Sequence, residues 1–479
     1  MNELVKLTAR QAVDKLRKRE VTPLELIDAA VERIEQTEPA VNALPTLAVE
    51  RARAHAKRIM DSGHGSDAGE RGQLHGLPIA VKDLKDVAGV RSTKGSPIFA
   101  DFVPERSDYV VENIEAKGGV VLAKSNTPEF GAGANTFNEV FGKTRNPWDT
   151  RMTSGGSSGG AAVSLATGEV WLATGTDLGG SLRIPASYCS VVGLRPTPGR
   201  VAHGPNGLPF ATLSVDGPMA RTVGDVALFL DTQAGQHPVD PLSMPAPERP
   251  YVDAVDNPTP PKRVAFTPDL GIAPVDPEVR EICAKAVRAF EGLGATVDED
   301  TIDLHDAEEI FQTLRAAQYV ASYKHHLDEH RDLLKPELIW NIEAGLKLSS
   351  ADVSRAELAR GALYHRTVEF FERYDLLVSP TVLVPPFDVD QRYVTEAGGV
   401  AFETYFSWLI LSFALTLTAC PTISVPCGFT SAGLPVGLQI MAPHADEASL
   451  LSAAALFEEA VGLAGGVPID PVVRHKEKE

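Results

Sequence analysis

The chain has 479 residues, 45 Lys+Arg against 64 Asp+Glu, and a formal charge of −19 at pH 7. That balance argues against a broad nucleic-acid or anionic-membrane surface, because phosphate binding needs clustered Lys and Arg. With 43% hydrophobic and 23% charged residues the composition excludes a disordered chain and leaves material for a substantial core.

In chain order, the opening segment reads as helices. Thr8-x-x-Gln11 and Thr22-Pro23-Leu24-Glu25 are both capping boxes, the second with Pro at the first helical position. A Gly-, His- and Asp-rich stretch, 62–76, makes a loop, after which Leu77-Pro-Ile-Ala-Val81 is a short strand delivering Lys82 and Asp83 at its end. Residues 107–117 read as a helix stopped by Gly118-Gly119, and 120–123 as a buried strand leading to Lys124. Small residues dominate 154–185, and 237–262 is a Pro- and Asp-rich surface connection. Arg263–Phe266 (strand), 276–291 (helix with Pro277 at its start) and 295–298 (strand) form a βαβ-like unit. Further buried strands are expected at 376–379, 422–425 and 436–441. Strands alternating with helices predict an α/β fold whose sheet is covered on both faces.

The apolar segment 406–420 lies in a charge-free run, 404–443. Its apolar part falls short of the roughly 20 residues that span a bilayer, and Pro421 and Pro426 interrupt the stretch after it. It reads as a buried core helix leading into core strands, with no membrane partner. Cys189, Cys283, Cys420 and Cys427 contain no C-x-x-C pair, and the N-terminus lacks a signal pattern. A reducing, cytoplasmic setting is therefore expected.

Two serines sit between glycines, Ser157 in Gly155-Gly-Ser-Ser-Gly-Gly160 and Ser181 in Asp177-Leu-Gly-Gly-Ser181. Glycine on either side of a hydroxyl permits unusual backbone angles and close approach of a substrate. Consecutive N–H groups of Leu178, Gly179, Gly180 and Ser181 are candidates to converge on a developing oxyanion, where one donor is worth about 10²–10³ in rate. A serine nucleophile also needs a base. No histidine lies in this region, and a lysine whose ordinary pKa is about 10.4 becomes usable when burial lowers it. Lys82, following Ile79-Ala-Val81 and backed by Asp83, is the best placed; Lys124 ends a similar strand and satisfies the same reasoning.

These residues resemble the amidase signature enzymes. The resemblance covers Gly76-Leu-Pro-Ile-Ala-Val-Lys-Asp83, Gly119-Val-Val-Leu-Ala-Lys-Ser-Asn-Thr-Pro-Glu129, Thr144-Arg-Asn-Pro-Trp148 and Gly155-Gly-Ser-Ser-Gly-Gly160. It continues through Gly175-Thr-Asp-Leu-Gly-Gly-Ser-Leu-Arg-Ile-Pro185, Gly193-Leu-Arg-Pro-Thr197, Ser379-Pro-Thr381, Pro421 and Gly433-Leu-Pro-Val-Gly-Leu-Gln439. It implies one large α/β domain, 1–479, with a mixed twisted sheet between helices: N-terminal helices in 1–70, a signature core in 71–236, the connection 237–262, and the remaining sheet, helices and pocket in 263–479. It implies a Ser–Ser–Lys triad in which Ser181 forms the acyl-enzyme, Ser157, preceded by a cis peptide bond, bridges to it, and Lys82 is the base. Ser158, Asp177 and Arg183 take support roles. Cofactor and metal are not expected, and the partner is a small-molecule amide, with the protein a monomer or homodimer. One departure is Ser154, where many relatives carry Pro.

Other matches point elsewhere. Gly156-Ser-Ser158-Gly-Gly160 fits the G-x-S-x-G elbow, but a polar loop precedes it where a strand should stand. Gly142-Lys143-Thr144 imitates a phosphate loop whose first glycine is replaced by Phe137. His326-Leu-Asp-Glu-His330 fits H-x-x-E-H, the basis of an alternative zinc metallopeptidase reading.

Substrate selection is expected from loops 130–140, 202–213 and 401–417. Phe130, Gly131, Phe210, Phe406 and Trp408 are candidate pocket residues, with Leu213, Phe402, Leu411 and Leu415 nearby. Such a lining favours an apolar or aryl substrate, as amide, ester or carbamate (a urethanase activity). The remaining alternative is the A subunit of a glutamyl- or aspartyl-tRNA amidotransferase.

Overall fold

A mixed sheet of eleven strands runs through the computed structural model, which describes residues 1–62, 71–205 and 207–475. Most of the loop expected at 62–76 lies outside the described residues. The strands are β1 (Thr46–Leu47), β2 (Pro78–Lys82), β3 (Val120–Ser125), β4 (Leu172–Asp177), β5 (Val192–Arg195) and β6 (Val215–Ala220), then β7 (Arg263–Phe266), β8 (Thr296–Glu299), β9 (Leu376–Pro380), β10 (Thr422–Phe429) and β11 (Pro435–Met441). Their spatial order is β1-β3-β2-β4-β6-β5-β10-β11-β9-β7-β8. The groups β3-β2-β4 and β9-β7-β8 pair in parallel, while the strands between them are antiparallel.

All residues of β2 through β6 are buried, as a sheet covered by helices on both faces requires. The helices that frame the site are α1 (Pro23–Val41), α2 (Gly159–Thr167), α3 (Arg183–Cys189), α4 (Ala307–His330) and α5 (Ile410–Thr416). Both expected capping boxes form, at Thr8 and Thr22. The small-residue composition of α2 reflects where it packs. A Cβ on Gly160 would stand 2.3 Å from the backbone nitrogen of Asn126, so the helix could not seat as it does with any larger residue there.

Three central strands, β4, β5 and β6, escape the hydrophobic pattern, because Thr174-Gly-Thr176, Gly193 and Gly217-Pro218 interrupt their apolar runs. The helix expected over 276–291 is two helices, Pro277–Ala286 and Ala289–Gly292. The connection 237–262 includes a helix, Tyr251–Asp256. The apolar segment 406–420 forms the turn Ser407–Leu409 and the short α5. Among the described residues no helix is long and apolar enough to cross a membrane.

Candidate active site

Lys82 closes β2 and is fully buried. Its backbone N–H donates to Thr174 Oγ1 on β4 at 3.0 Å, which fixes the end of the strand. Its side-chain nitrogen lies 2.7 Å from Ser157 Oγ, 2.8 Å from Ser158 Oγ and 2.8 Å from Thr176 Oγ1. Three hydroxyls contact this nitrogen. Burial pushes the Lys82 ammonium well below the ordinary lysine range, against the opposite pull of Asp177 and Asp216.

Asp83 does not back Lys82. Side chains alternate along an extended strand, and Asp83 faces Lys124, whose nitrogen lies 2.9 Å from its Oδ1, 2.8 Å from Ser92 Oγ and 2.6 Å from Lys85 O. Asp83 also accepts from the Thr93 hydroxyl at 2.5 Å. Lys124 is thus committed to a buried ion pair, and the geometry separates the two candidate bases.

Ser157 lies in the loop before α2, and its Gly156–Ser157 peptide is cis. Thr136 Oγ1 anchors this loop, donating to Gly155 O at 2.8 Å and accepting from Gly159 N at 3.2 Å. Ser154 is buried and its hydroxyl donates to Gly155 O at 3.2 Å. Ser181 follows β4, and its carbonyl accepts from Ser158 N at 3.3 Å, joining the two serine loops. Gly180 has φ +117°, and a Cβ there would meet the Ser412 side chain at 2.5 Å, so the turn before Ser181 requires glycine.

Asp177 organises this turn. Its carboxylate accepts from Gly180 N (2.8 Å) and Leu182 N (3.1 Å), and takes two hydrogen bonds from Arg183, each 3.1 Å. Arg195 donates to the Asp177 carbonyl at 2.5 Å. Burial alone would raise the Asp177 carboxyl, but Arg183 and Arg195 outweigh it and hold it at about 2. Of the four N–H groups expected to meet an oxyanion, that of Gly180 is taken by Asp177, which leaves those of Leu178, Gly179 and Ser181.

Ser157, Thr176, Leu178 and Ser181 open into a cavity of about 410 Å³. One wall is aromatic: Phe99, Phe130, Tyr319, Tyr323 and His326. The Phe130 and His326 rings stack at 5.4 Å with 21° between their planes. Phe130 adopts φ +48°, an uncommon conformation for a phenylalanine, next to Gly131, whose own Cβ position lies 3.4 Å from Ser157 Oγ. The lining also has polar and charged members, Lys85, Asp86, Lys94, Asp108 and His203.

Phe130 and Gly131 therefore line the cavity, whereas three other candidates do not. Phe210 is 75% exposed, although its neighbours Leu208 and Ala211 contribute to the wall. Phe406 is buried against Phe311 and Phe413, and Trp408 against Phe387. The apolar run misled because α5 supports the Ser181 loop from behind: Phe413 packs on Gly179 together with Phe311 of α4, Ser412 packs on Gly180, and Thr416 Oγ1 accepts from Arg183 at 3.0 Å. The walls that composition missed, Tyr319, Tyr323 and His326, carry an i, i+4, i+7 helical spacing on α4. The H-x-x-E-H segment is this face of α4. His326 enters the aromatic wall, and among the described residues no group of three His, Cys, Asp or Glu side chains is arranged to hold a metal ion.

The amidase family model matches residues 25–451. An acylamidase from Rhodococcus erythropolis is 35% identical over 98% of each chain. The A subunit of the glutamyl-tRNA(Gln) amidotransferase from Geobacillus stearothermophilus is 34% identical, covering 93% of this chain and 95% of that one. A bacterial aryl acylamidase of the amidase signature enzymes superimposes with a TM-score of 0.89 at 27% identity, over 98% of this chain and 100% of that one. A 6-aminohexanoate cyclic dimer hydrolase complexed with substrate gives 0.87 at 26% identity, over 97% and 99%. The chain belongs to the amidase family. It is an amidohydrolase, a hydrolase of carbon–nitrogen bonds.

Proposed function

We propose that the enzyme cleaves an amide with an apolar or aryl group through an acyl-enzyme on Ser181. The observation that carries this reading is a fully buried Lys82 nitrogen 2.7 Å from Ser157 Oγ, a hydroxyl that lines the same cavity as Ser181. Uncharged Lys82 accepts the Ser157 proton while Ser157 accepts that of Ser181, and Ser181 Oγ bonds to the carbonyl carbon. The backbone N–H groups of Leu178, Gly179 and Ser181 stabilise the oxyanion. The proton returns through Ser157 to the leaving nitrogen, the C–N bond breaks and the amine departs. Water then attacks the acyl ester along the same relay in reverse, releasing the acid and restoring Ser181. Ser158 and Thr176 hold the Lys82 nitrogen; Asp177 and Arg183 hold the loop.

Phe99, Phe130, Tyr323 and His326 favour an aryl or apolar group by stacking and area burial. Carbamates and esters carry the same reactive carbonyl and belong to the same proposal. A monomer or homodimer acting on a small molecule, without nucleic acid, in a reducing cytoplasm fits the acidic net charge and four buried free thiols. The test is a hydrolysis screen of the purified chain over aryl amides, aliphatic amides, esters and carbamates. Hydrolysis of aryl amides without any added protein supports the reading; inactivity on all four classes overturns it.

The similarity to amidotransferase A subunits supports a second reading, transfer of ammonia within a multi-subunit complex. It predicts negligible hydrolysis by the isolated chain and activity only with partner subunits, so the same screen separates the two.

A further inference from the structure

Lys85 stands three residues beyond the proposed base, at the cavity wall, and is buried. Its nitrogen meets two carboxylates, Asp216 Oδ2 at 2.9 Å and Asp108 Oδ2 at 3.3 Å. Asp216 also pairs with His203 Nδ1 at 2.7 Å. On the antiparallel β4–β6 ladder, Asp216 lies directly opposite Thr176, whose hydroxyl touches the Lys82 nitrogen. Such partners share one face of a sheet with side chains about 5 Å apart. One buried carboxylate thus stands between two buried lysines.

A carboxylate without a counter-ion favours the ammonium form of a nearby lysine, and ammonium cannot accept a proton from serine. We propose that Lys85 is a positioning residue for the hydrolytic reaction: by pairing with Asp216 and Asp108 it neutralises the carboxylates beside the cavity and leaves Lys82 uncharged and able to act as base. This rests on the assignment of Lys82 as base in the preceding reading.

The other charges around Lys82 are already paired. On β4, Asp177 is held by Arg183 and Arg195. Between β2 and β3, Asp83 is held by Lys124. The helix α2 carries no charged residue. On α1, Arg33 binds Thr167 O and Asp470, Glu38 accepts from the amides of Ala43 and Leu44, and the remaining charges are exposed. Lys94 pairs with Asp86 further along the cavity wall. Asp216 is therefore the carboxylate whose influence on Lys82 depends on Lys85. Burial would raise Asp216, but Lys85 and then His203 outweigh it and hold it at about 2, so its charge is present throughout the working range.

The test is the pH dependence of kcat/KM for wild type, Lys85→Gln, Asp216→Asn, the double variant and Lys85→Arg, with Lys82→Ala alongside. The acid limb should move up by about one pH unit in Lys85→Gln, lowering the rate roughly tenfold at a pH below the limb. It should return to the wild-type position in the double variant and stay there in Lys85→Arg. A folded Lys85→Gln protein with an unmoved limb, or a double variant shifted as far as Lys85→Gln, overturns the proposal, as does a wild-type profile with no acid limb. If Lys85→Gln does not fold, Asp216→Asn decides: a limb moved to lower pH supports the proposal and a limb in place overturns it. Retained activity in Lys82→Ala would remove the base assignment itself, whereas a dead Lys82→Ala with an unmoved Lys85→Gln limb removes only the role of Lys85.

Discussion

The Lys124 nitrogen lies 2.9 Å from Asp83 Oδ1, on the face of β2 opposite the one from which Lys82 reaches the serines. Two lysines with the same local sequence context, each at the end of a buried strand, are separated by this contact. Lys124 has a carboxylate and is a structural cation; Lys82 has hydroxyls and is free to be a base.

That difference predicts distinct phenotypes. Because protonated Lys82 cannot accept a proton, kcat/KM should rise with pH through the folded-state value of Lys82 and level above it. Burial depresses that value, so the rise should fall well below the ordinary lysine range. Lys124→Met should leave the position of this rise unchanged while lowering the thermal midpoint, since it strands a buried Asp83 at about 3–5 kcal/mol. The measurements are a pH–rate profile and a melting curve for each variant.

Ser181→Ala should reduce kcat/KM by at least about 10³-fold, and Ser157→Ala by a similar order, with little change in melting temperature. A sulfonyl fluoride should add mass at Ser181 in wild type and not in Ser181→Ala, read by peptide mass spectrometry. Label found at Ser158 instead would favour the elbow reading of the Gly156–Gly160 loop.

Phe130→Ala and His326→Ala should raise KM for aryl amides more than for acetamide, because the aromatic wall touches only the larger group. Loss of one stacking contact of about 1 kcal/mol corresponds to roughly fivefold. In this reading His326 contributes a ring rather than a metal ligand, so a chelator should leave the rate unchanged; loss of activity restored by zinc would revive the metallopeptidase alternative.

Arg183→Met removes two 3.1 Å hydrogen bonds from a carboxylate that is itself fully buried. The expected loss is about 3–5 kcal/mol of stability. The Gly180–Leu182 turn should loosen with it, lowering kcat as well, whereas Phe130→Ala should act mainly on KM. Parallel melting curves and steady-state kinetics distinguish the two.

The family and the residues of the proposed triad are legible in the chain alone. Lys82, Ser157 and Ser181 stand in motifs whose glycines and short polar residues have few uses other than a close-approach loop, and the flanking strands β2, β3, β9 and β11 announce themselves by continuous apolar runs. Which lysine meets the serines is settled in three dimensions, because strand alternation and cross-strand partners, not adjacency in the chain, choose between Asp83 and hydroxyls as company. The walls of the cavity are set there too. Phe406 and Trp408 look the same in sequence as Phe130 and Tyr323, since apolarity reports burial and not whether the burying surface is a core or a cavity. The central strands β4, β5 and β6 stay hidden for a related reason: their glycines and threonines serve the serine loops and the close packing of α2 and α3, at the expense of the aliphatic pattern that marks a strand. Asp216, 134 positions after Lys82 in the chain, stands opposite Thr176 only because β6 folds back against β4.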